Sequence, residues 1–212
     1  RRSLRDHYPQ WDRRRRTCLE HVPVPQRNDW INSFRNHLGP YDYHRMRFAR
    51  DRAYDADTFA RFFRFTFVRN PYDRAVSMWF YLDKGSRRFT EPGAPQRARF
   101  KSFLRRVPVY WRLKPFCRHA ALHTRPVLPD ITDEDGETLL VDFVGQVERF
   151  QQDMDTIATH AGLPAITVTR SNIGRKRDQS VSYARYYDDE AREMVEGLYG
   201  ADIRRFGYCY SE

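Results

Sequence analysis

Between residues 63 and 68 the chain alternates side by side, with Phe63, Phe65 and Phe67 on one edge of an extended segment and Arg64, Thr66 and Val68 on the other, until Asn70-Pro71 ends the pattern. The period then changes. Pro71 suits a first helical turn, Asn70 its cap, and Asp73 the positive end of a helix dipole. At about 100° per residue, Asn70, Asp73, Arg74, Ser77 and Tyr81 share one face, while Tyr72, Ala75, Val76, Trp79 and Leu82 share the other. The pattern predicts a strand running straight into a helix whose apolar stripe packs down and whose polar stripe faces a cleft.

A second strand is predicted at residues 138–144, ending at Gly145 and followed by a helix in which Phe150, Met154, Ile157, Ala158 and Ala161 recur at helical spacing. A last helix over 188–199 offers Ala191, Met194, Val195 and Leu198 for packing, and a short helical stretch is expected around 97–106. Leu4 and Tyr8 at the opening of the chain are also at helical spacing, and 29–37 and 41–48 read as helical or mixed. No internal repeat interrupts this order, and the 212 residues suit one domain with a single core, supplied by 15% aromatic residues. No apolar run reaches the length of a membrane span, and no signal-peptide pattern opens the chain.

The net charge of +10 changes the picture through its distribution. Residues 84–125 hold twelve Lys or Arg and one acid, Glu91, whereas the remainder holds 26 bases and 27 acids. This segment reads as a basic insertion on the substrate side, comprising a Gly- and Pro-rich loop at 85–95, the 97–106 helix and the aromatic run Val109-Tyr110-Trp111. Cations interleaved with rings suit an anionic polymer, either nucleic acid or a sulfated or uronic acid-bearing sugar chain; a solvated basic lid is the plain alternative. The short basic run at 13–16 reads as a solvated stretch. Cys18, Cys117 and Cys209 are widely separated, have no metal-ligand spacing and read as buried or incidental thiols, with a single disulfide as the alternative.

The candidate chemistry lies where the strand meets the helix. Arg69 falls at the carboxyl end of the strand, where open α/β sheets place ligands, and a guanidinium can fork two oxygens of a phosphate. Ser77, two turns on, can add a hydrogen bond. The competing reading pairs Arg69 with a nearby acid and leaves Ser77 on a solvated face.

The string RNPYDRAVS resembles the 3′-phosphate-binding motif of sulfotransferases that use 3′-phosphoadenosine-5′-phosphosulfate, in particular the carbohydrate sulfotransferase group. The resemblance implies that Arg69 and Ser77 hold the nucleotide's 3′-phosphate. VDFVGQVERFQQDM is similar to the family's D-F-V-G-x-x-E segment with a trailing acid, here Asp153; locally, Glu148 and Asp153 suit the support of helix ends and basic neighbours. His123-Thr124-Arg125-Pro126 resembles its H-x-x-P, with Val127 where a glutamine is common, and the stretch from Asp202-Ile203 to Phe206-Gly207-Tyr208 resembles its closing pattern, read as core.

The family further implies a three-layer α/β fold with a mostly parallel sheet, of the P-loop nucleoside triphosphate hydrolase-like type. Its first strand and 5′-phosphosulfate loop, of the form P-K-T-x-G-T-S, have no match here; His21-Val22-Pro23 only echoes the residues before it, and the expected domain is incomplete at its N-terminus. His37 occupies the place of the family's catalytic base, with His44 its rival; a neutral imidazole can take a proton from an acceptor hydroxyl at physiological pH. Arg175 and Lys176, with Arg177, stand where basic loops cover the nucleotide. The implied reaction is sulfonate transfer from 3′-phosphoadenosine-5′-phosphosulfate to a hydroxyl of an acidic carbohydrate or small acceptor, without metal, nucleic acid or membrane span. A silent binder of acidic glycan or nucleotide, and a nucleic-acid-binding protein, are the alternatives. The expected compartment is a bacterial cytosol, or a Golgi lumen for a domain trimmed of its anchor.

Overall fold

The computed structural model describes residues 46–83, 93–113, 116–167 and 181–211. The expectations at Leu4 and Tyr8, 13–16, 29–37, His37, His44, Arg175, Lys176 and Arg177 lie outside these residues.

The strand β1 (Phe65–Val68) runs parallel to β2 (Phe143–Gln146), with Phe65 opposite Phe143 and Val68 opposite Gln146. Arg64 fastens the start of this ladder. Its backbone amide, Nε and Nη2 all donate to the Asp142 carboxylate at 2.6–2.8 Å, and the guanidinium holds that carboxyl below its usual range. The parallel pairing agrees with an α/β architecture; among the described residues the sheet has these two strands.

The second strand falls later than the apolar run predicts. Asp135 accepts from the amides of Glu137 and Thr138 and from the Thr138 hydroxyl, while Gly136 takes a φ of 72°. This tight turn brings Leu139 back beside Thr132 in an isolated antiparallel bridge. Leu140 and Val141 are therefore buried as a connection, and the ladder begins only at Phe143.

Helices supply most of the core. Around the sheet lie α1 (Ala56–Arg61), α2 (Pro71–Leu82), α3 (Ala94–Arg112), α4 (Arg118–Thr124), the short α5 (Leu128–Ile131), α6 (Phe150–His160) and α7 (Asp189–Phe206). Phe100, Phe103, Leu104 and Val107 of α3 meet Ala75, Val76 and Trp79 of α2 and Ala191, Val195 and Tyr199 of α7 in one buried cluster, with Tyr186 and Tyr187 closing it. Asp188 caps α7 by accepting from the Ala191 amide at 2.9 Å, and Gly207 ends it at a φ of 68°.

The helix expected at 97–106 is thus a 19-residue element of the core. Three of its cations are met by acids from elsewhere in the chain: Lys101 bridges Asp188 and Glu190, Arg105 also reaches Glu190, and Arg106 lies 3.5 Å from Asp83. Tyr110 and Trp111 pack against the core, and the Trp111 indole donates to the Thr124 hydroxyl at 3.1 Å. Both rings are half-buried, with one side committed to the core. Of the cysteines, Cys117 is half-buried and Cys209 exposed, both as free thiols.

Gly145 lets the two strands approach. A Cβ there would lie 2.6 Å from the Phe67 ring, which is already packed on Phe150 with centroids 4.3 Å apart. Gly145→Ala is expected to lower the stability to urea by about 1–3 kcal/mol through overpacking; an unchanged unfolding midpoint would show that the ring moves freely.

Candidate functional site

Where β1 ends, Asn70 commits every polar group it has. Its side-chain oxygen accepts from the Tyr72 amide at 3.0 Å, its carbonyl accepts from the Arg74 amide at 2.8 Å, its amide donates to Glu148 at 2.7 Å, and its Nδ2 donates to the Cys209 carbonyl at 3.1 Å. With Pro71 in the first turn of α2, this leaves little freedom to the peptide that follows Arg69.

Arg69 and Ser77, the two residues singled out by the sequence, are both half-buried around this turn. The Nε and Nη2 edge of Arg69 lies on one Asp73 oxygen, at 2.6 and 2.5 Å. The pairing with a nearby acid is therefore real, yet it engages one edge of the guanidinium. The side chains of Arg69 and Asp73 retain 28% and 20% exposure, so neither is sealed away from a ligand. Ser77 follows Asp73 by one turn on the same face of α2.

Arg74, expected on the cleft-facing stripe, instead turns toward the protein. Its Nη2 donates to the carbonyls of Arg125 at 2.6 Å and His123 at 3.3 Å, its Nη1 lies 3.8 Å from Asp202, and the guanidinium sits 5.6 Å from the centre of the Tyr199 ring. Asp202, buried on α7, accepts from the amides of Val127 and Leu128 at 2.7 and 2.9 Å. Tyr199 donates to the Thr124 carbonyl at 2.7 Å, and Arg125 pairs with Asp130 at 2.6 Å in a buried contact. The His123-Thr124-Arg125-Pro126 segment is consequently held by its backbone. At Val127 it is the amide that is used, whatever the side chain.

The sequence reading placed Arg74 on the polar stripe, Thr124 in a family string and Asp202 in the core, but it saw none of these contacts and gave Tyr199 no role. The available signal was an acid inside the otherwise amphipathic last helix, in line with Ala191, Val195 and Tyr199. Above Ser77, Tyr81 lies against His123 and His119, with ring centroids 4.9 and 5.7 Å apart, forming an exposed aromatic and imidazole surface at the far end of the same helix face.

Glu148, in the turn after β2, accepts a second hydrogen bond from the Tyr208 hydroxyl at 3.1 Å; burial and this carboxylate push the phenol's pKa up. Glu148 thus supports a helix start, that of α2. Asp153 accepts from the Gln146 amide at 2.5 Å and lies 3.4 Å from Arg149.

Among the described residues no group of three or more His, Cys, Asp or Glu is placed to hold a metal ion, and no helix is long and apolar enough to cross a membrane. The model of a family described as the sulfotransferase family matches residues 21–209 of the chain. None of the curated proteins and none of the solved structures matches it.

Proposed function

The chain belongs to the sulfotransferase family, and from this we propose that it transfers a sulfonate from 3′-phosphoadenosine-5′-phosphosulfate to a hydroxyl of a carbohydrate or related acceptor. The observation that carries the reading is the turn from β1 into α2, where Arg69 leaves the carboxyl end of a parallel strand and Ser77 follows on the polar face of the helix.

In this reading Arg69 and Ser77 anchor the 3′-phosphate of the donor. Asp73 holds one edge of the guanidinium and so fixes its plane, while the other edge is available for a charge-assisted bond to a phosphate oxygen. Asp73 also opposes the cation, so the gain is smaller than for an isolated arginine. The anchoring pair takes no part in bond making; it positions the donor for in-line attack by the acceptor oxygen. His37 is assigned as the base that takes the acceptor's proton, and Arg175 and Lys176 as cations over the nucleotide, on the strength of the family pattern. The fold assigned with them is the three-layer, P-loop nucleoside triphosphate hydrolase-like sulfotransferase type, whose first strand and 5′-phosphosulfate loop have no match in these residues, with the 84–125 segment on the acceptor side.

The test has two measurements on the protein. Calorimetry should show adenosine 3′,5′-bisphosphate binding more tightly than adenosine 5′-phosphate. Incubation with the activated-sulfate donor and a panel of sugar acceptors should release the bisphosphate only when acceptor is present. Binding without acceptor-dependent release would favour a silent nucleotide binder, and no preference for the 3′-phosphorylated nucleotide would refute the site.

A further inference from the structure

Resting on that assignment of Arg69 and Ser77, we infer that Glu148 and Tyr208 are positioning residues for the 3′-phosphate site, and that the segment after the last helix is a strap that holds the phosphate-binding turn in place. The strap begins at Gly207, whose left-handed conformation turns the chain off α7. Tyr208 then donates to the Glu148 carboxylate, and the Cys209 carbonyl accepts from the Asn70 side chain.

The next two residues anchor it. The Tyr210 ring lies 5.2 Å from that of Tyr72 and 5.5 Å from that of Tyr187, with the Arg192 guanidinium 4.5 Å above it, and the Ser211 amide donates to the Tyr183 hydroxyl at 2.9 Å. The far end is thus moored to the aromatic core and the near end to the turn.

Glu148 is the joint. The parallel ladder stops at Val68 and Gln146, and the 2.7 Å bond from the Asn70 amide to Glu148 prolongs the connection between the two strand ends by one further link. That amide belongs to the peptide group joining Arg69 to Asn70, so its direction constrains where the Arg69 side chain departs from the backbone. A donor at a helix start needs an acceptor, and water in place of Glu148 would satisfy it without fixing its direction. Tyr208 fixes the carboxylate, and through it the turn.

The experiment compares affinities for adenosine 3′,5′-bisphosphate and adenosine 5′-phosphate by calorimetry on the full chain, because only the first nucleotide reports the 3′-phosphate site. Glu148→Ala is expected to reduce the preference for the bisphosphate about tenfold, and Tyr208→Phe about threefold, from the worth of a hydrogen bond to a charged group. Glu148→Gln keeps an acceptor for the Asn70 amide and should retain most of the preference. If folded Glu148→Ala keeps the wild-type preference, or weakens both nucleotides equally, the strap has no positioning role. A wild-type protein without any preference would instead overturn the assignment of Arg69 and Ser77, and the strap with it.

Discussion

Arg69→Ala is expected to weaken the binding of adenosine 3′,5′-bisphosphate by about 10- to 150-fold in calorimetry, the range that corresponds to the roughly 1.5–3 kcal/mol of a hydrogen bond to a charged partner. The loss is one of affinity and not of folding. The Arg69 and Asp73 pair is part-exposed, and exposed pairs contribute at most about 1 kcal/mol to stability after screening by solvent. Arg69→Lys is expected to recover only part of the binding, because an ammonium cannot present two edges, one to Asp73 and another to a phosphate. Unaltered affinity in a folded Arg69→Ala protein would remove the anchor from the proposed site.

The second large effect is on stability. Asp202→Ala leaves the amides of Val127 and Leu128 without their acceptor and takes the facing carboxylate from Arg74, all around a residue that is 2% exposed. The expected cost is roughly 3–5 kcal/mol in urea unfolding, as for other buried charged groups deprived of a partner. Asp202→Asn retains one acceptor oxygen and should cost less than half as much. A shift below about 0.5 kcal/mol for Asp202→Ala would mean that water replaces the carboxylate, and that the segment from His123 to Leu128 is not held from α7.

Much of the central unit was legible in the sequence because its signals are local. The alternation ending at Asn70-Pro71 and the two-faced helix after it depend on neighbours within a few residues, and β1 and α2 follow them. The apolar run at 139–141 was misleading for the opposite reason. Burial there is satisfied by a connection, and the bonds made by Asp135 decide that the backbone turns back before it pairs. Arg74 shows the limit of a helical wheel. It lies on the polar stripe, yet its partners are carbonyls 49 and 51 positions away, which no periodicity reveals.

The basic segment gives the same lesson in charge. Twelve bases in 84–125 suggested an open cationic surface. Lys101 and Arg105 are nevertheless answered by Asp188 and Glu190 at the start of α7, because the apolar stripes of α3 and α7 pack together and carry their charged edges with them. Glu148 was read as a support for a helix end, without its partners. Its bonds to Asn70 and Tyr208 span 78 and 60 residues of chain.

By itself, then, the sequence determined the strand-to-helix unit, the place of Arg69 and Ser77 on it, and the family pattern around them, since propensity and period act over one or two turns. Tertiary structure alone decided which cations stay available, which acids hold backbone amides, and how the last residues meet the turn from β1 into α2. Those outcomes depend on contacts between segments that only the packing of the core brings within hydrogen-bonding distance.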